Sequence, residues 1–329
     1  MNIVLITHKR LPWLQECLRS VLRSLENAGM AQARIFIGCN ADPDAESWLK
    51  TQQKKAPLLQ IFSWNEHLPP PEARNRLLKE IPTGWTLFLD DDTAVPSSYF
   101  KKFLDLDKGQ AQIVGGPNLN FPGSSDSEEL QQVVLGSILL SGPFAWRYSA
   151  RKSHRRPWVS TFVLCHLWIE KKEGSSLLFD ENLMGGEENE LLDRLRLSSF
   201  LYHPDLFVYH HRRSDLDGFQ QQAFKFGIGR GQVFRKKSPF GVRFFAPLCG
   251  MALAVSWFYL RLACAAVSFR QSQFSYQQIL KFAQALHFSY LRGIAHALTR
   301  STSELRTEFT NSSLPKVDTS KDPRRAALS

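Results

Sequence analysis

Trp85-Thr86-Leu87-Phe88-Leu89-Asp90-Asp91-Asp92-Thr93 is an apolar run that ends in three adjacent carboxylates. Large apolar residues in succession belong to a strand buried inside a sheet, whereas neighbouring aspartates repel one another and are costly to bury without a cation or donors. Side chains alternate along a strand, so Asp90 and Asp92 share a face, a pairing suited to a hard divalent ion such as Mg²⁺ or Mn²⁺. Magnesium usually takes one or two carboxylates plus substrate phosphates, so the stretch reads as a metal–diphosphate site. A solvated acidic turn after a strand is the alternative reading.

Upstream, residues 2–7 read as a buried strand, and 11–25 as an amphipathic helix with Leu14, Leu18, Val21, Leu22 and Leu25 at helical spacing. Residues 34–39 and 58–64 read as further strands, 45–53 as a helix, and 72–80 as a helix following the breaker Pro69-Pro70-Pro71. Strands alternating with helices predict a parallel, doubly wound sheet with ligands at the carboxyl ends of its strands. Asp90, Asp91 and Asp92 stand at such an end.

Downstream, a short run ends in the turn Gly115-Gly116-Pro117, residues 128–140 read as a helix, and 141–157 as a mobile loop. Residues 159–169 read as another strand. Leu183-Met184-Gly185-Gly186-Glu187-Glu188-Asn189-Glu190 opens a helix through residue 197, with acids in the first turn where the helix dipole favours them. Residues 206–211 form a short strand ending in paired histidines, and His210 points inward if Leu206 and Val208 do.

With 41 Lys+Arg against 31 Asp+Glu the net charge is +10, which suits anionic partners. Arg212, Arg213, Lys225, Arg230, Arg235, Lys236, Lys237 and Arg243 form a basic block opposed by Asp215 and Asp217. The apolar run 244–269 follows, with Arg261 its one charge, and it exceeds the ~20 residues that a bilayer crossing needs. Pro247 and Gly250 break its start, so a span, an interfacial helix and a buried core helix all stay open. The adjoining basic block favours membrane association at an anionic surface over a nucleic-acid groove. Residues 281–298 repeat the amphipathic pattern, and the polar stretch 301–329 is expected to be disordered.

The five cysteines, Cys17, Cys39, Cys165, Cys249 and Cys264, are scattered, so their spacing indicates neither a zinc site nor a disulfide framework. Lys9 and Arg10 directly follow the first apolar run, which therefore reads as a strand and not a secretory signal.

Taken in order, Ile3-Val4-Leu5-Ile6-Thr7-His8-Lys9-Arg10, Glu72-Ala73-Arg74-Asn75, Phe88-Leu89-Asp90-Asp91-Asp92, Gly185-Gly186-Glu187-Glu188-Asn189-Glu190-Leu191 and Val208-Tyr209-His210-His211 resemble a family 2 glycosyltransferase of GT-A fold. The stretch from Phe224 to Gln232, followed by apolar helices, more loosely resembles membrane-associated members of polysaccharide biosynthesis. The resemblance implies an α/β GT-A (Rossmann-like) catalytic domain over residues 1–215, then a basic and apolar helical segment over 216–300, membrane-associated, and the tail 301–329. It implies an inverting, hexosyltransferase-like enzyme that moves a sugar from a nucleoside-diphosphate sugar to a hydroxyl of a glycan or lipid-linked acceptor. The expected place is the cytoplasmic face of the inner (plasma) membrane.

Carried over by position, Asp92 with Asp90 and His210 would hold Mg²⁺ or Mn²⁺. Thr7, Arg10, Arg74, Asp90 and Asp91 would contact the donor, with Asn40 and Asp42 at the base, although the family's Asp-Ser-Asp pattern reads here Asn40-Ala41-Asp42. Glu188 stands where the family has an aspartate as catalytic base, and Glu187 is its possible substitute. Trp146, Arg147 and Trp158 are candidate acceptor contacts. Two further readings remain: a nucleotidyltransferase, which would release pyrophosphate, and a non-catalytic sugar-nucleotide or anionic-surface binding protein.

Overall fold

In the computed structural model, which describes residues 1–152, 154–155, 161–174, 177–195, 199–237, 248–270 and 273–311, the acidic strand lies in the middle of an eight-stranded sheet. Strand β1 (Asn2–Thr7) pairs in parallel with β2 (Arg34–Asn40) on one side and with β4 (Gly84–Asp90) on the other; β3 (Leu59–Trp64) extends the sheet beyond β2. Connecting helices are α1 (Leu11–Asn27), α2 (Pro43–Gln53) and α3 (Pro70–Glu80). The proline run does not precede α3 but begins it, because the first helical positions need no N–H donor.

Alternation along the strands covers both faces of the sheet. Ile3 and Leu5 of β1, with Leu87 and Leu89 of β4, join the core beneath α1 and α2. Val4 and Phe88 point the other way, into a core shared with Leu77 of α3 and Leu191. By the same alternation Asp90 emerges on the Phe88 face, the side of α3.

Beyond β4 the expected all-parallel sheet becomes mixed. Strand β9 (His166–Lys171) runs antiparallel between β4 and β6 (Ile113–Gly115), followed by β10 (Phe200–Tyr202) and, at the edge, β8 (His154–Arg155). An antiparallel neighbour needs no crossover helix, so the chain can return beside β4 without another βαβ unit. Trp168 of β9 is fully buried, stacked on Phe103 of α4 (Tyr99–Asp105) at 3.7 Å, with its indole N–H donated to Tyr99 at 2.9 Å. Tertiary packing starts this strand at His166, later than residue 159 as the apolar pattern predicts, and residues 159–160 lie outside the described residues.

A second, three-stranded sheet sits at the carboxyl end of the first. Strand β11 (Val208–His210) lies between β5 (Thr93–Ala94) and β7 (Asn118–Leu119), in a register that sets His210 opposite Thr93. This small sheet carries an imidazole from far along the chain to the three aspartates.

Three local expectations are corrected. The helix predicted over 128–140 is two, α5 (Asp126–Gly136) and α6 (Ile138–Ser141), because the backbone at Ser137 is extended. Within the stretch read as a mobile loop, Gly142–Arg147 forms a 3-10 turn whose Arg147 is buried. The tail begins with helix α11 (Thr302–Asn311), which Ser301 caps through Glu304 N–H at 3.2 Å and which buries Leu305; residues 312–329 lie outside the described residues.

The remaining helices are α7 (Glu187–Arg194), α8 (Leu216–Lys237), α9 (Leu248–Arg270) and α10 (Tyr276–Thr299). Among the described residues no helix is long and apolar enough to cross a membrane. Helix α9 buries Leu260, Ala263, Cys264 and Val267 against α5, α8 and α10, and exposes Tyr259, Leu262 and Phe269. Basic residues of the block are paired within the protein: Arg212 is buried and donates to Asn118, Asn120 and Gln132, while the exposed Lys236 donates to Asp180 and Glu190.

Helices α8 and α10 cross at backbone contact. A Cβ at Gly227 would stand 2.0 Å from Tyr290 O, and one at Gly293 2.1 Å from Phe224 O. On its other side α8 presses against the turn before α7, where a Cβ at Gly229 would stand 1.9 Å from Gly185 O. Gln232 reinforces that contact, accepting from Met184 N–H at 2.8 Å and donating to Asn182 O at 2.9 Å. Since backbone cannot yield as a side-chain tip can, Gly229→Ala is expected to destabilise the fold by about 1–3 kcal/mol. Gly218→Ala, whose nearest neighbour is the Arg213 side chain at 3.2 Å, should cost less. Urea midpoints of the two variants, equal to each other, would contradict this packing.

Candidate active site

The acidic strand end, the loop after β1, helix α3, the turn before α7 and strand β11 converge at one end of the sheet. Arg74, on α3, stands between two of them: its guanidinium donates to Glu187 Oε1 at 2.7 Å and to Asp90 Oδ1 at 3.2 Å. One planar cation thus ties the strand-end acid to the acidic turn, with Phe179 under it at 6.0 Å. Arg10 is the second bridge, 2.9 Å from Asp92 and 3.3 Å from Asp91, and it lies over the Trp13 ring. A third arginine, Arg147 of the 3-10 turn, reaches Glu188 Oε1 at 3.2 Å and Asn189 Oδ1 at 2.8 Å. Among the described residues Glu188 Oε2 makes no hydrogen bond.

The sequence folds this way locally for identifiable reasons. Gly186 caps α7 in the left-handed region (φ +67), a conformation costly for a residue with a side chain, and this aims Glu187 and Glu188 from the first turn of the helix. Lys9 and Ala41, neither of them glycine, also adopt positive φ (55° and 52°) in the loops after β1 and β2. Asp42 stabilises that pair of loops: it accepts from Lys9 N–H at 2.6 Å and, as the cap of α2, from Ala45 N–H at 3.1 Å. Asn40 bonds the backbone of Leu68 in both directions at 2.8 Å. Both side chains are therefore engaged in shaping the loops. Thr7 is buried at the end of β1.

Electrostatics differ sharply across the three aspartates. Burial is the main cause that raises Asp90 to about 6 and Asp91 to about 7, against the opposing pull of Arg74 and Arg10 respectively. Burial also opposes ionisation of Asp92, but His210 and Arg10 outweigh it and lower that carboxyl to about 2. His210, 3.3 Å from Asp92, is itself lowered to about 3, chiefly by burial, with Arg212 and Arg213 adding to the effect. A neutral imidazole follows at pH 7. Burial also raises Glu187, with Arg74 opposing and Glu188 reinforcing.

The residues fit a divalent ion. Asp90, Cys165 and His210 each present a ligand atom, all within 4.8 Å of one another, and His210 Nδ1 is buried with no hydrogen bond among the described residues. Asp92 stands at the edge of this group, linked to it through His210. His211 faces away, stacked on Trp13 and Phe121 and bonded to Glu16 at 3.0 Å.

Sequence reasoning names Arg147 for a different contact and passes over Cys165 and Glu16. Nothing in the spacing of Cys165 signals its place; pairing of β9 beside β4 puts it there. Trp146 packs edge-on against Tyr202, and Trp158 lies outside the described residues.

The family model described as glycosyl transferase family 2 matches residues 2–176, and the chain belongs to that family. Its α/β fold around a mixed sheet is GT-A-like. The solved structure of the mannosyltransferase PcManGT from Pyrobaculum calidifontis, in complex with GDP-Man and Mn²⁺, superposes with a TM-score of 0.56 at 14% identity, covering 89% of this chain and 86% of that one. The S. aureus TarS structure with UDP-GlcNAc is a more distant neighbour, with a TM-score of 0.46 at 12% identity over 94% of this chain and 91% of that one. Among curated proteins, none matches in sequence.

Breaking the Arg74 bridge tests the electrostatic frame. Arg74→Met leaves Asp90 and Glu187 without their shared cation, so it should lower stability, while the double variant with Glu187→Gln should lose less than the sum of the singles. A coupling of about 1 kcal/mol or more in urea unfolding is expected for groups in direct contact. Strict additivity would mean that the bridge holds nothing together.

Proposed function

We propose that this glycosyltransferase moves a hexosyl group from a nucleoside-diphosphate sugar to a hydroxyl of a glycan or lipid-linked acceptor, with inversion at the anomeric carbon. The observation that carries the reading is the Arg74 bridge, which joins a strand-end acid to the acidic turn across 2.7 Å and 3.2 Å contacts. A donor diphosphate laid between them meets Arg74 and Arg10, whose forked guanidinium groups suit phosphate oxygens. Asp90, Asp92 and His210 are the residues that would hold Mg²⁺ or Mn²⁺. A divalent ion there supplies neutralisation of the charge that develops on the departing nucleoside diphosphate.

Glu188 is assigned as the base. Arg147 and Asn189 fix its Oε1, and its Oε2 remains to take the proton of the acceptor hydroxyl. Glu187 is committed to Arg74 and is the less suited of the two acids. The acceptor oxygen, freed of its proton, then attacks the anomeric carbon from the side opposite the diphosphate, which gives inversion. Donor binding and proton transfer thus fall to different residues.

The place proposed is the cytoplasmic face of the inner membrane, and two features support a lipid-linked acceptor. A groove of about 510 Å³ next to Tyr148, the residue after Arg147, is lined by Val133, Ile138, Leu139 and Val267 together with Arg151 and Arg270. Apolar walls with two arginines suit a lipid that carries phosphate. On α9, Phe269 is 92% exposed and Leu262 56%, the pattern of a helix that lies in an interface.

Calorimetry and product assays with a panel of nucleoside-diphosphate sugars, in Mn²⁺ or Mg²⁺, test the assignment. Asp92→Asn should weaken cation-dependent donor binding; Glu188→Gln should bind donor normally and lose transfer by about 10²–10⁴-fold. Three proteins of equal activity would defeat the site. For the membrane, co-sedimentation with vesicles of anionic lipid should fall for Leu262→Asp/Phe269→Asp, and a wild type that stays in the supernatant would dismiss the surface-binding reading.

A further inference from the structure

Cys165 is 2% exposed and precedes β9, where the pairing of His166 with Leu89 brings it up beside Asp90. A buried cysteine ordinarily packs as a small apolar residue. Here its surroundings are polar. Asn118 donates to its sulfur at 3.2 Å, and its Sγ, an Asp90 oxygen and a His210 nitrogen lie within 4.8 Å of one another. Metal–sulfur bonds of about 2.3 Å and metal–nitrogen bonds of about 2.0–2.1 Å at a tetrahedral angle set two donors of one ion about 3.5 Å apart. Donors already within 4.8 Å of one another reach that spacing by side-chain rotation of roughly 1 Å, with no change in the strands that carry them.

A second observation concerns His210 itself: its Nδ1 is buried with no hydrogen bond among the described residues. Buried polar nitrogens are normally satisfied, so an orphan invites an ion or a donor.

Resting on the divalent-cation reading above, we propose that Cys165 is a protein ligand to that ion, and that its sulfur makes the site favour thiophilic ions such as Zn²⁺ or Co²⁺ over Mg²⁺. Sulfur is a soft donor, whereas Mg²⁺ takes oxygen almost exclusively. Binding replaces the Sγ–H bond by an Sγ–metal bond and passes one proton to the buffer.

The test uses the full chain, freed of metal, with Co²⁺ added alone and followed by absorption and calorimetry. Wild type should develop a near-ultraviolet sulfur-to-cobalt charge-transfer band, and Cys165→Ser should lack it. The same variant should bind Zn²⁺ about tenfold or more weakly, with Mg²⁺ affinity unchanged. Co²⁺ that binds without the band, or a band that survives Cys165→Ser, would overturn the proposal and leave the cation reading intact. No calorimetric binding of Co²⁺, Zn²⁺, Mn²⁺ or Mg²⁺ would remove the cation reading, and this ligand with it. If Cys165→Ser does not fold, alkylation of wild type decides: Zn²⁺ should slow labelling of Cys165 but not of Cys264, and equal rates would sink the idea.

Discussion

Five carboxylates, Asp90, Asp91, Asp92, Glu187 and Glu188, gather in one region of this chain, and their mutual repulsion is the constraint that the site is built around. Three arginines answer it, each from a different element: Arg10 from the loop after β1, Arg74 from α3 and Arg147 from the 3-10 turn. Each pair of like charges is thereby held close at modest cost, since an unpaired buried carboxylate would neutralise instead. The protonation pattern follows from that arrangement. Asp92, against Arg10 and His210, is held down at about 2, while Asp91 and Asp90, more weakly compensated, rise to about 7 and 6.

This arrangement depends on the sheet more than on any one loop. The mixed order β1-β4-β9-β6 puts Asp90 and Cys165 on neighbouring strand ends, and the small sheet of β5, β11 and β7 delivers His210. Helix α8 then fixes the acidic turn from behind through Gly229 and Gln232. The segment after Asp215 is therefore part of the frame that aims Glu187 and Glu188, as well as the carrier of the exposed apolar helix face.

Much of this was legible in the sequence. The βα alternation over the first ninety or so positions follows from periodicity that tertiary packing does not override, and the acidic strand end and the Gly185-Gly186-Glu187-Glu188 turn declare themselves by composition. Less legible was whatever depends on pairing between distant segments. The reversed direction of β9 leaves no trace in an apolar run that would suit either direction. Arg147 sits in a stretch rich in Arg, Ser and Gly, which reads as loop because its order comes from the ion pair with Glu188, a partner 41 positions away. Arg212 counts as surface charge in any tally of composition, yet it is buried among Asn118, Asn120 and Gln132.

Cys165 shows the limit most sharply. Spacing rules detect metal sites whose ligands are close along the chain, since a short loop fixes their geometry before the rest of the protein folds. A site assembled from β4, the turn before β9 and β11 has no such local signature, because its geometry is a product of the finished sheet. The same reasoning explains why Asp90 and Asp92, adjacent in the motif and on one face of an ideal strand, part company here. Strand β4 ends at Asp90, so the alternation that would align the two no longer holds. Asp90 stays with Arg74 and the acidic turn, while Asp92 turns toward Arg10; His210 is near both, 3.3 Å from Asp92 and with a nitrogen within 4.8 Å of an Asp90 oxygen. One motif thus supplies acids to both sides of the site, and the break in the strand is what divides them.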